Sequence, residues 1–161
     1  MEGLLLIGFA TGLRTMTPIT VFCWVAYLGL LPQTGWGSWT GKLVSVIIFT
    51  VLALGEYYGD TRPETPNRTD IGPLLARLAF GAFTAALACH ATQEPVAGGL
   101  IFGAIGALIG AFLGRRVRGW AAGRLGRDLP IALTESAIAL GIALYCAWSY
   151  HGFYVVQQAA S

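Results

Sequence analysis

The sequence predicts an all-α, polytopic membrane protein: a bundle of five to six helices whose first element is short or broken. Three observations carry this. Charged residues make up only 11% of the chain and hydrophobic ones 55%, where soluble domains carry about 25% charged residues. Apolar stretches recur at close to the roughly 20 residues that a helix needs to cross a bilayer. Prolines and acidic residues cluster where those stretches begin. The 161 residues suit one membrane domain spanning 1–161, with no room for a soluble one.

The N-terminus carries Glu2 where a signal peptide has its basic region, and no small-residue cleavage site follows Leu13, so it is expected to stay in the mature protein. The first apolar stretch, Gly3–Leu31, is longer than one span needs and contains a single charge, Arg14. An arginine at the centre of a span costs roughly 2.5–3.5 kcal/mol on insertion scales, so it faces a partner, a cavity or a ligand. Pro18 follows Thr17, which predicts a helix capped by Thr17 with Pro18 at its first position. Gly3–Leu13 and Pro18–Leu31 then form a kinked helix, a re-entrant hairpin or two short passes. In each case protein or water must cover the break. Four further helices follow: Leu43–Tyr58, Pro73–Ala91, Val96–Gly114 and Pro130–Tyr150. Asp70, Glu94 and Asp128 stand just ahead of Pro73, Pro95 and Pro130, where a carboxylate meets the positive end of a helix. Pro63 and Pro66 mark the polar loop Asp60–Asp70.

Nine of the ten cations are arginines, and five of these lie in the segment Arg115–Arg127. An arginine-rich loop marks the cytoplasmic side. It places Arg62 and Arg68 there too, puts Lys42, Glu94 and the C-terminus outside, and gives a multi-pass protein of the bacterial inner membrane. Two short first passes would bring Arg14 to the cytoplasmic side as well. With Trp120, the Arg115–Arg127 segment is expected to meet anionic lipid; topology already explains its charge, so nucleic acid is not an expected partner. Gly99, Gly103, Gly106, Gly110 and Gly114 recur every three or four residues, making one smooth helix face for close packing. That face could serve within the chain or between copies, and a homodimer is expected.

Three groups could carry chemistry. Arg14, with Thr15 and Thr17 beside the helix break, offers positive charge and free N–H donors to an anionic group. Glu56 and Asp60 are four residues apart on one helix face, with Arg68 and Arg77 following, which suits either an ionic network or a cation site. Glu135 lies a little over one turn into the last span, where a carboxyl needs a partner; Arg14 is the expected one. Cys23, Cys89 and Cys146 lie in apolar segments without ligand spacing, so no metal is expected. No catalytic motif and no cofactor motif is present.

The chain resembles a bacterial integral-membrane family known as domain of unknown function 4126. The resemblance covers nearly all of it. Its marks are Gly12-Leu13-Arg14-Thr15-Met16-Thr17-Pro18, Glu56-x-x-x-Asp60, Thr65-Pro66-Asn67-Arg68-Thr69 with Pro73, Leu74 and Arg77, Gly103-Ala104-Ile105-Gly106-Ala107, Gly114 with Arg118, and Asp128-Leu129-Pro130-Ile131-Ala132-Leu133-x-Glu135. Thr61 and Ser136 depart from the family pattern, where a lysine and an acidic residue often stand. The resemblance implies an all-helical membrane fold and no particular activity. The residues themselves suggest a channel or transporter for a small, anionic solute or ion. The alternative is a non-transporting scaffold or subunit of an envelope or lipid complex; a third reading is a lipid-modifying enzyme using Glu56 and Asp60.

Overall fold

A computed structural model describes residues 1–59, 70–125 and 128–160, with the backbone alone described at 122–125, 128 and 129. The described residues are all-helical. They form α1 (Glu2–Leu13), α2 (Met16–Tyr27), a 3₁₀ segment (Gly35–Gly41), α3 (Leu43–Gly59), α4 (Ile71–Ala91), α5 (Val96–Leu125) and α6 (Asp128–Ala160). Three helices, α4, α5 and α6, are long and apolar enough to cross a membrane. A fourth crossing exists if the 3₁₀ segment and α3, bent by 67°, count as one. With 12 residues each, α1 and α2 are about 18 Å long, well short of a hydrocarbon core of about 30 Å.

Several boundaries differ from those the sequence suggests, and α6 runs ten residues past the expected end at Tyr150, to Ala160. The basic segment is not a loop from Arg115 onward: α5 continues through it to Leu125. Arginine is a good helix former, and Gly119 is tolerated within the helix. Helix α2 starts at Met16, two residues before Pro18, and its N-cap is Thr15 rather than Thr17, with no side-chain cap bond. Proline lacks an N–H that the first turn would not use, so any early position accepts it. Pro73 likewise sits third in α4, after the N-cap Asp70.

Contacts at both ends of α6 fix the course of the first two helices. At the start of α1, the Cys146 thiol lies 3.8 Å from the Gly3 carbonyl. At its end, Arg14 Nη2 donates to the Ala132 carbonyl, so α1 runs antiparallel to α6. Helix α2 then returns: His151 Nδ1 lies 2.5 Å from the carbonyl of Leu30, just past its end. The pair is a hairpin with Arg14 at its tip. At the start of α2, Met16 and Thr17 meet Glu56 and Tyr57, and further along Thr20 Oγ1 donates to the Phe49 carbonyl and Trp24 Nε1 to Thr50 Oγ1, so α3 runs antiparallel beside α2. Ile19, Cys23 and Val46 fill that contact.

Packing is inverted relative to a soluble protein. Small and polar residues such as Ala10, Thr11, Ala85, Ala88, Ala107 and Ala139 are buried, while Ile47, Ile48, Val51, Ile101, Ile105 and Leu144 face outward. Lipid gives helices no hydrophobic reason to associate, so close backbone approach does the work. A Cβ on Gly99 would lie 2.6 Å from the Ala85 carbonyl oxygen, and one on Gly103 2.4 Å from that of Gly81, both in α4. On Gly106 and Gly110 it would lie 2.2 Å from the Leu5 and Phe9 carbonyl oxygens of α1. Gly114 is buried as well. From the α1 side, a Cβ on Gly8 would meet the Gly103 carbonyl oxygen at 2.1 Å. The glycine face is thus filled within the chain by α1 and α4, and is not the surface through which a second copy would pack.

Gly8→Val and Gly106→Val should each destabilise the fold by about 3 kcal/mol or more, because backbone rather than a mobile side chain blocks the new atoms. Gly141→Ala, where an added Cβ meets nothing within 4 Å, should be neutral or stabilising by about 0.5–1 kcal/mol. Unfolding curves in detergent micelles check both.

Candidate functional site

The break between α1 and α2 brings two opposite helix ends together: the last carbonyls of α1 and the first N–H groups of α2. Neither set has intrahelical partners. Arg77, on α4, answers the first. Its Nη1 donates to the Gly12 carbonyl at 2.7 Å and to the Leu13 carbonyl at 3.1 Å. Glu56, on α3, answers the second. Its Oε1 accepts from the Thr15 N–H at 2.7 Å and its Oε2 from the Met16 N–H at 2.9 Å. Each charge has the sign that its helix end favours. Arg77 Nη2 also lies 3.8 Å from Glu56 Oε1, with the two side chains 6% and 13% exposed. One cation, one carboxylate and two helix ends form a closed ring of charge-assisted contacts.

Arg14 occupies the turn itself. It is the C-cap of α1, with an extended backbone at φ −141° and ψ 109°, and its own N–H continues the helix to the Ala10 carbonyl. Its side chain is 1% exposed, the largest of the fully buried ones. Nη2 donates to the Ala132 carbonyl of α6 at 3.1 Å, and the guanidinium lies 5.4 Å from the centre of the Tyr57 ring, within cation–π range. The Tyr57 hydroxyl shares a 2.8 Å hydrogen bond with Thr17 Oγ1. Thr17 therefore orients an aromatic ring instead of capping a helix.

Arg14, Thr15, Thr17, Glu56 and Arg77 thus converge on one cluster. Tyr57 joins the same cluster through Thr17 and Arg14. Asp60 and Arg68 lie outside the described residues. Arg14 reaches α6 at the backbone of Ala132, three residues before Glu135. Glu135 is 8% exposed and lines a crevice with Phe9, Leu13, Arg118 and Ile138. Beside the cluster, a cleft of about 510 Å³ opens between Thr15, Met16, Gly55, Glu56, Pro73 and Ala76. The Glu56 carboxylate is thereby reachable from the protein surface.

Among the described residues, no three His, Cys, Asp or Glu side chains gather as metal ligands, and the three cysteines are buried and free. The histidines serve the opposite end of the bundle from the Arg14 tip. There His90 Nε2 lies 2.9 Å from the Thr34 carbonyl, and its ring stacks on Trp36 at 4.8 Å. Comparison of the chain with family models, with curated proteins and with solved structures gives no match.

Glu56→Ala and Arg77→Ala should each lower the unfolding free energy by about 3–5 kcal/mol, since each breaks the ion pair and leaves one helix end unanswered. The double variant should lose less than the sum, by about 0.5–3 kcal/mol. Denaturation of the four proteins in one detergent measures the difference.

Proposed function

We propose that the protein is a small membrane channel or transporter for an anionic solute, with its site at the break between α1 and α2. One observation carries this reading: the N-terminus of α2 already holds a carboxylate, that of Glu56, on two backbone N–H groups. A place that holds one anion so directly suits another. Broken helices whose half-helix ends meet at a polar centre form the solute sites of many transporters. Glu56 is then the resident anion, which a solute displaces through the adjoining cleft. The groups facing it are the N–H donors of Thr15 and Met16, Arg77 from α4, and its chain neighbour Tyr57 with Arg14 over the ring.

In this reading α1 and α2 are two half-passes. With the bent 3₁₀–α3 unit and α4 to α6 they make up the bundle of five to six membrane helices. The hairpin tip lies level with the basic end of α5, since Leu13 shares a crevice with Gly114 and Arg118. The positive-inside rule then sets the tip on the cytoplasmic face of a bacterial inner membrane, with Arg115 and Arg116 toward anionic lipid. Membership of the family of domain of unknown function 4126 belongs to the same reading and rests on the motifs around Arg14, Glu56 and Glu135.

A specific observation favours the second reading, a scaffold that transports nothing: Arg14 and Arg77 donate to backbone carbonyls, as structural clasps do. The enzyme reading is not taken up, because both oxygens of Glu56 are engaged by backbone donors.

Proteoliposomes separate the two. Uptake of labelled chloride, formate or inorganic phosphate should exceed that of empty vesicles. Arg14→Ala should lose roughly ten- to a hundredfold, the worth of one hydrogen bond to a charged group, while the protein still accumulates. Normal uptake by Arg14→Ala, or none by the wild type with all three anions, favours the scaffold.

A further inference from the structure

The crevice that holds Glu135 adjoins the helix break at Leu13 but includes neither Glu56 nor Arg77. It is a pocket of about 190 Å³ between α1, α5 and α6. Its walls change character along its length. Phe9 is level with Gly110, whose added Cβ would lie 2.2 Å from the Phe9 carbonyl oxygen. Arg118 is eight residues further along α5, about 12 Å at the helical rise. The antiparallel α6 repeats the order, with Ile138 one turn deeper than Glu135. One end is therefore apolar, walled by Phe9, Leu113 and Ile138, and the other polar, with Thr134, Glu135 and Arg118.

The crevice opens sideways among outward-facing apolar residues. Leu113, Val117 and Ile138, all on its wall, are exposed. A water-soluble solute has no reason to collect there, whereas the bilayer presents acyl chains to it directly. A carboxylate this buried needs a positive partner, and the crevice also offers a cation of its own. A cation and an anion side by side complement a zwitterion of the opposite order.

We propose that this crevice seats one aminophospholipid of the phosphatidylethanolamine type. Arg118 binds the phosphodiester, Glu135 accepts N–H donors from the primary ammonium, and one acyl chain lies over Phe9, Leu113 and Ile138. Neither side chain has to be vacant. The zwitterion inserts into their shared field, donating to the carboxylate and accepting from the guanidinium. The seat shares only Leu13 with the helix break, and uses neither Glu56 nor Arg77, so it stands or falls independently of anion transport.

Native mass spectrometry of the delipidated full chain tests this, after exchange into micelles doped equally with phosphatidylethanolamine, phosphatidylcholine and phosphatidylglycerol. One phosphatidylethanolamine per chain should be retained about tenfold over phosphatidylcholine, whose quaternary amine has no N–H to donate. Glu135→Gln should erase that preference, and Arg118→Gln should lower retention of all three lipids. Ile138→Trp, which fills the apolar end, should do the same without touching a charge, so it decides the matter if a charge variant fails to fold. Val44→Trp, on the outward face of α3, should change nothing. Equal retention of the two zwitterionic lipids, preference for phosphatidylglycerol, or wild-type selectivity in Glu135→Gln each overturns the proposal.

Discussion

Two helix ends meet inside this protein among largely buried side chains, and the rest of the architecture is arranged around satisfying them. The end of α1 offers carbonyls and the start of α2 offers N–H groups, and a backbone polar group left unanswered in a membrane costs several kcal/mol. A two-residue turn cannot supply the missing partners from its own side chains. Arg77 and Glu56 supply them from α4 and α3, so the hairpin can close only when those helices are in place. The capping that a soluble helix does locally is here a tertiary interaction.

The glycine face of α5 serves the same end. Arg77 reaches the Gly12 and Leu13 carbonyls because α1 lies against α4 and α5 at backbone distance. That approach requires Gly8, Gly12, Gly103, Gly106 and Gly110 to carry no side chain. Larger residues along this seam would hold α1 away from the carbonyl-binding reach of Arg77. The small-residue seam and the charged ring are therefore one device, with dispersion setting the distance and charge setting the register. Large apolar side chains are left on the outside, where lipid takes the place of a core.

Much of this was legible in the sequence. The lone Arg14 in an apolar run, with Thr17 and Pro18 just after it, marked the broken element. The Gly99–Gly114 spacing marked a close-packed face, and Glu56 and Arg77 stood out as charges within reach of apolar helices. What could not be read were the partners. Local rules assign Thr17 as a cap because they weigh only neighbours in sequence, whereas the actual cap, Glu56, is 40 residues away. Proline bounds a helix start only to within its first turn, so Pro18 gave a start two residues late. Nothing in a one-dimensional pattern says that α1 and α2 run in opposite directions. That follows from contacts with α6, made by Gly3, Arg14 and Leu30. Tyr57 escaped notice because its role depends on Thr17 and Arg14 arriving beside it.

A permanent clasp has no need of formal charge. Asparagine or glutamine side chains can cap helix ends, and replacing buried ion pairs by neutral groups is often neutral or stabilising. The cluster instead places two full cations and a carboxylate at 1–13% exposure, where desolvation is costly. Such an arrangement gains one property that a neutral clasp lacks: its strength depends on the charge of Glu56. In the proposed reading, an anion that displaces that carboxylate loosens the N-terminus of α2 and, through Arg77, the C-terminus of α1 together. Arg14 and Tyr57 carry the same change toward α6. An interaction that is expensive to build and simple to reverse is a poor rivet and a good latch, and the proposed transport reading rests on that difference.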